Sequence, residues 1–352
     1  MTPAVLIEAS HRAAFSWLRR LALLALMAVA WLAAAPGCSR KPPSPVVIVY
    51  VSVDQAHAEP VLARFTEQTG IEVRPVFDVE AAKAAGLARR IVAEKSHPQA
   101  DVFWNGELSQ TLMLARAGAL QPYRSPSAAG LPGDFVDPQG LWAGCAGRAR
   151  VLLVAADVPD AEMPSSLYDL ARPGAGLAHP LFGTSATHAA ALFAMLGPDK
   201  ANAFYQSVRS SGVRIADGNS VVRDLVASGD LKVGLVDTDD ACEAMRRGAR
   251  VRVIAPDQGA DQMGALVIPT TVAMVAGAPH PDQAKALVDF LLSEQTERML
   301  VASGWSHAPA RQLDTAPPCF SFPSLRRMRV DPERMAGMVD RAREDLRALF
   351  AK

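Results

Sequence analysis

The sequence predicts an α/β protein of two lobes, each a parallel sheet covered by helices on both faces. Three observations carry that prediction. Apolar runs too short for helices alternate with amphipathic stretches of helical period. The first run, Val46-Val47-Ile48-Val49-Tyr50-Val51, is continuously apolar and mostly β-branched, as a strand buried on both faces must be. The alternation breaks over residues 121–140 and then resumes, which suits two units for a chain of 352 residues.

The elements follow in order. Val61, Leu62 and Phe65 recur at helical spacing over 58–67, and Gly70 suits the helix end. Residues 71–77 read as a strand, 81–94 as a helix, 100–104 as a strand and 108–117 as a helix stopped by Gly118. In the second half, strands are expected at 149–154, 232–236 and 251–254, with further strand runs at 266–269 and 272–275. Residues 167–170 suit a short turn. Helices are expected at 186–195, 221–227, 241–247, 281–292, 294–302 and 332–350. The first lobe takes 46–145 and 255–310, the second 146–254, and 311–352 form C-terminal helices.

The N-terminus gives an address. Arg12, Arg19 and Arg20 precede an uncharged run over 21–35, shorter than the about 20 apolar residues a spanning helix needs. Residues 1–37 read as a secretory signal peptide. The junction Ala35-Pro36-Gly37-Cys38 resembles a bacterial lipobox, which implies that Cys38 is lipidated and holds the protein to a membrane in the periplasm or cell envelope. A plain cleaved signal peptide or an N-terminal anchor is the alternative. Pro42-Pro43-Ser44-Pro45 completes a stiff linker over 38–45. Without residues 1–37 the balance is 33 basic to 35 acidic residues, a formal charge of −2. That excludes an electrostatic case for nucleic acid. Cys145, Cys242 and Cys319 have no zinc-type spacing; two of them can pair in an oxidising compartment, but apolar contexts favour buried thiols.

The chemistry sits at the carboxyl ends of strands, where open parallel sheets bind ligands. No phosphate loop, dinucleotide glycine pattern or HExxH pair is present, and Gly183-Thr184-Ser185-Ala186-Thr187 lacks the second glycine of a nucleophile elbow. His188 reads as structural. Ser52 and Asp54 follow the first strand, Asp78 and Glu80 the second, Asn105 and Glu107 the third, and Asp237-Thr238-Asp239-Asp240 a later one. Taken singly, Ser52, Thr184 and Asp217 suit helix caps; together the clusters point to a shared cleft.

A series of segments then resembles a known family. Phe65-Thr66-Glu67-Gln68-Thr69-Gly70-Ile71-Glu72-Val73, Asp101-Val102-Phe103-Trp104 and Ala117-Gly118-Ala119-Leu120-Gln121-Pro122-Tyr123 are similar to ABC-importer solute-binding proteins of the ferric-ion-binding type. So are Asp217-Gly218-Asn219-Ser220, Val226-Ala227-Ser228-Gly229-Asp230-Leu231 and Gly277-Ala278-Pro279-His280-Pro281. The resemblance implies a type II periplasmic-binding-protein fold, two α/β lobes joined by a crossover-strand hinge. It implies a non-enzymatic monomer that hands its solute to a separate permease and ATPase.

The metal site departs from the family's. Its adjacent tyrosine pair falls on Asp239 and Asp240, its histidine near Asp54, and its glutamate near Glu107. Glu107, Asp239 and Asp240 are the candidate metal ligands, hard donors that suit Fe³⁺ or divalent cations, or an ammonium group. Thr184, Ser185, Thr187 and Asn219 open helices, where anions gather. The expected binding set is therefore Ser52, Asp54, Trp104 as a wall, Asn105, Glu107, Thr184, Ser185, Thr187, Asn219, Asp237, Asp239 and Asp240. No cofactor is required, and a metal with a synergistic anion is the candidate cargo. Phosphonates, organophosphates and polyamines are the alternative solutes, and a metal-dependent hydrolase is the alternative class.

Overall fold

The computed structural model describes residues 44–78 and 85–350. The expected signal peptide, Cys38, most of the linker and Glu80 lie outside the described residues. The first part runs β1 (Val46–Val51), α1 (Gln55–Thr69), β2 (Glu72–Phe77), α2 (Ala85–Ala93), β3 (Val102–Asn105), α3 (Leu108–Arg116) and β4 (Leu120–Gln121). β1 pairs in parallel with β2 on one side and β3 on the other. Val49, Tyr50 and Val51 are fully buried, which explains why the run carries no polar residue.

β5 (Ala143–Ala155) is the pivot of the fold. Its thirteen residues are buried throughout. The first half pairs antiparallel with β10 (Val267–Val275), the second with β8 (Val233–Asp237) and β9 (Val251–Ile254). One strand thus belongs to both sheets. Small residues open it for a steric reason: a Cβ on Gly144 would lie 2.7 Å from Pro269, where β10 shifts register because proline has no N–H to donate.

The second sheet adds β6 (Ala175–Ala178) and β7 (Arg214–Ala216), with α4 (Gly183–Leu196), α5 (Pro198–Ser210), α6 (Asn219–Ala227) and α7 (Thr238–Arg246) around it. The continuous strand order is β2-β1-β3-β10-β5-β8-β6-β7. Strand β3 meets β10 antiparallel, whereas β8, β6 and β7 run parallel to one another. The chain closes with α8 (Pro281–Leu291), α9 (Glu294–Ser303) and α10 (Pro332–Phe350).

Three expectations need correction. β6, α5 and β7 were not anticipated; β6 is Ala-Gly-Leu-Ala, with no β-branched residue to mark it. Residues 311–331 are not helical, since Pro317, Pro318 and Pro323 deny them helix hydrogen bonds, and α10 alone is helical beyond 311 among the described residues. Cys242 and Cys319 are not buried thiols but a disulfide with Cα atoms 5.5 Å apart; only Cys145 is a free buried thiol among the described residues. That bond ties the 311–331 strap to α7. The final helix buries Met335, Val339, Ala342 and Leu346, chiefly against α4. It also meets α3, where Arg116 donates to the Ala336 carbonyl at 2.8 Å.

Candidate functional site

Because β6, β7 and β8 run in parallel, the N-termini of α4, α6 and α7 gather at one edge of their sheet. Two arginines of β5 organise that edge. Alternate residues of a strand share a face, so Arg148 and Arg150 project together. Arg150 is fully buried and donates to Asp237 Oδ1 at 2.8 Å, Asn219 Oδ1 at 3.1 Å, Thr184 Oγ1 at 3.2 Å and Ser185 Oγ at 3.2 Å. Thr184 donates to Asp237 Oδ2 at 2.7 Å. Burial pushes the Asp237 carboxyl up, but Arg150 and Arg148 outweigh it and hold the group below the usual carboxylate range.

Arg148 forms the second hub. Its Nη1 lies 2.9 Å from Asp239 Oδ2 and 3.3 Å from Asp237 Oδ2, and its Nη2 donates to the Gly106 carbonyl in the β3–α3 loop. The guanidinium stacks 4.1 Å over the ring of Trp305, whose indole N–H donates to Thr270 Oγ1 at 2.8 Å. A Cβ on Gly106 would lie 3.0 Å from that ring, so any side chain there would have to push the indole by a few tenths of an ångström. Burial lifts the Asp239 carboxyl to about 6, and the nearby charges of Asp237 and Asp54 add to this against Arg148. Asp240 is driven well above the ordinary value by burial, Asp239 and Asp237; its nearest cation is Arg223, at 3.6 Å. Asp239 Oδ1 is buried with no hydrogen-bond partner. Three arginines thus face three carboxylates, and what the trio has to spare is this acceptor oxygen rather than net charge. Oxygens of Asp237, Asp239 and Asp240 lie within 4.8 Å of one another, the one such group among the described residues.

The first-sheet residues have other tasks. Glu107 caps α3: Oε1 accepts Gln110 N at 2.9 Å, and Oε2 accepts Ser109 N at 2.8 Å and Ser109 Oγ at 2.7 Å. Thr187 Oγ1 of α4 also donates to Glu107 Oε2, at 2.5 Å, joining the two sheets. Burial raises the Glu107 carboxyl despite these four bonds. Ser52 Oγ donates to Asn105 Oδ1, and Asn105 Nδ2 donates to Thr111 Oγ1 at 3.1 Å, so both shape the loop that presents the Gly106 carbonyl. The expected caps are made otherwise: Phe182 is the N-cap of α4 and Gly218 that of α6, neither with a side-chain bond. Trp104 is 1% exposed and packs in the first-sheet core, so Trp305 takes the wall position beside the charges. Asp54 ends the β1 side and acts on Arg148 and Asp239 through its charge. A cavity of about 330 Å³ opens there, lined by Val51 to Gln55, Phe77 and Asp78.

Thr184, Ser185, Asn219, Asp237 and Asp239 thus converge on two arginines, with Asp240 beside them and Glu107 joined through Thr187. Arg148, Arg150 and Trp305 escape a reading confined to strand ends. The signal for the arginines was present: two charges spaced i, i+2 in an otherwise apolar strand.

A strand shared by two α/β sheets, with polar groups of both gathered on it, is the arrangement of the type II periplasmic-binding fold. The chain belongs to the bacterial extracellular solute-binding protein family, whose model matches residues 47–306. It is 26% identical over 312 residues to the "Putative 2-aminoethylphosphonate-binding periplasmic protein" of Salmonella typhi, covering 81% of this chain and 84% of that one. It is 26% identical over 288 residues to the major ferric iron-binding protein of Neisseria meningitidis serogroup B, covering 79% and 83%. The crystal structure of iron-bound HitA from Pseudomonas aeruginosa superimposes with a TM-score of 0.76 at 22% identity, over 86% of this chain and 99% of that one. At that identity the superposition shows the fold.

Proposed function

We propose that the protein is the non-catalytic, extracytoplasmic solute-binding component of an ABC importer, lipid-anchored through Cys38 and delivering its solute to a permease and ATPase. Family membership, the shared strand and the two-sided polar cluster support this reading. For the solute we infer a small zwitterion with a protonated amine and a phosphonate-like end. One observation carries it: the acidic trio already holds an organic cation, the Arg148 guanidinium, and still has a buried acceptor, Asp239 Oδ1, to spare. An ammonium group suits such carboxylates by charge-assisted hydrogen bonds. The first-turn N–H groups of α4 and α6, at the same sheet edge, suit the anionic end.

A metal with a synergistic anion is the second reading, favoured by the grouping of Asp237, Asp239 and Asp240. The donor set fits a ferric cargo poorly. Both Glu107 oxygens are spent on α3 and Thr187, and Asp237 is spent on Arg150 and Thr184.

Thermal shift of the purified protein against 2-aminoethylphosphonate, fructose 6-phosphate, spermidine, and Fe³⁺ with citrate separates the readings. A ligand at 100 times its Kd stabilises by about 2.7 kcal/mol. The aminophosphonate is expected to give the largest rise. A larger rise with ferric citrate would overturn the solute assignment.

A further inference from the structure

The acidic trio is shaped like a cation site, and the chain supplies the cation itself. Three carboxylates bring oxygens within 4.8 Å of one another at the start of α7. The Arg148 guanidinium lies against two of them, at 2.9 Å from Asp239 and 3.3 Å from Asp237. It is held there from the other sides: the Gly106 carbonyl accepts its Nη2, and the Trp305 ring lies 4.1 Å beneath its plane. Arg150 covers the remaining oxygen of Asp237, and Arg223 approaches Asp240 at 3.6 Å. Arg148 is 7% exposed on a strand that is buried along its whole length, so the guanidinium is held among these partners with little contact with solvent.

We propose that Arg148 is a specificity-determining residue whose guanidinium occupies the cation position of the Asp237–Asp239–Asp240 cluster and denies that position to metal ions. A metal ion bound by the trio would sit within a few ångströms of a fixed positive charge, in a site where little water screens the repulsion. A guanidinium cannot step aside by losing its proton, because arginine stays charged in proteins. The same geometry leaves Asp239 Oδ1, buried and without a partner, as the acceptor open to a further group. Specificity here comes from a built-in repulsion as much as from attraction. The inference rests on the organic-solute reading only in excluding a metal cargo from the trio.

The test uses Tb³⁺, a hard trivalent probe whose emission is sensitised by a nearby indole, and Trp305 lies beside the site. The full-length wild-type protein, Arg148→Met, Arg148→Lys and Arg148→Met/Asp239→Asn are titrated at fixed ionic strength, with circular dichroism confirming the fold of each. Arg148→Met is expected to bind one Tb³⁺ about 100-fold or more tighter than wild type, the order set by removing one unit charge beside a bound cation. Arg148→Lys should still exclude the ion, and the double variant should lose the gained affinity. Saturable Tb³⁺ binding by wild type that Asp239→Asn abolishes would overturn the proposal, and this arm needs no Arg148 variant to fold. No gain in a folded Arg148→Met would overturn it too. A protein that ignores every organic solute yet gains Tb³⁺ on losing Arg148 refutes the zwitterion reading and leaves this inference standing.

Discussion

Replacing Arg150 by Met probes the centre of the site. The side chain is fully buried and makes one ion pair and three further hydrogen bonds, to Asp237, Asn219, Thr184 and Ser185. Methionine fills much of the space but leaves the Asp237 carboxylate, 1% exposed, without its closest cation. Breaking a buried pair from one side costs about 3–5 kcal/mol, because the stranded charge keeps its desolvation penalty. Arg148 remains 3.3 Å from Asp237 Oδ2, and Thr184 and Asn219 still donate to it, so the low end applies. The expected loss is about 3 kcal/mol at pH 7.5, read from urea unfolding by circular dichroism. Adding Asp237→Asn should recover at least about 1 kcal/mol of that loss, since no charge is then stranded. A cost below about 1 kcal/mol for Arg150→Met, or a double variant as unstable as the sum of the singles, would refute the reasoning.

Other predictions follow from separate features. The Cys242–Cys319 bond closes a loop of 77 residues, and its reduction should cost about 4 kcal/mol on the chain-entropy model. For a domain of this size that lowers Tm by about 6 °C in scans with and without a phosphine reductant. His188 is held neutral down to about 3 by burial and the neighbouring Arg150. The unfolded chain takes up that proton first, so stability is present above about pH 6.5 and is lost as pH falls toward 3. Urea titrations should show His188→Leu losing about 2.5 kcal/mol less than wild type between pH 7 and 4.5. Thr187→Val removes the hydroxyl that joins α4 to Glu107 and should lower stability by about 1.5 kcal/mol in urea unfolding, through loss of a buried hydrogen bond to a carboxyl group.

Much of this was legible because it depends on local pattern. The β1 run, the helices with apolar residues at helical spacing, and polar residues after strands all follow from period and position. Asp237, Asp239 and Asp240 were found because they end a strand and begin a helix. What stayed hidden depends on contacts distant in sequence. Glu107 offers the same carboxylate as Asp239, yet the Thr187 hydroxyl and α3 N–H groups consume it. Trp305 follows α9 in a loop, and only packing brings it to Arg148, which lies 157 positions earlier. Trp104 sits at a strand end like a binding residue but turns into the core. The arginines of β5 were legible in principle, since a buried strand keeps two charges only when partners wait for both. α5 likewise opens with Gly197-Pro198, and proline at the first helical position is a start signal.

The central claim is that the cluster around Arg148 and Arg150 takes a solute through both an amine and an anionic end. Isothermal titration calorimetry with 2-aminoethylphosphonate, ethylphosphonate and ethylamine on the wild-type protein tests it most directly. Binding of the zwitterion at least about 100-fold tighter than of either half, with loss of the preference for the amine in Asp239→Asn, is the predicted result. Equal binding of ethylphosphonate, or saturable Fe³⁺ binding tighter than that of any organic solute, would contradict it.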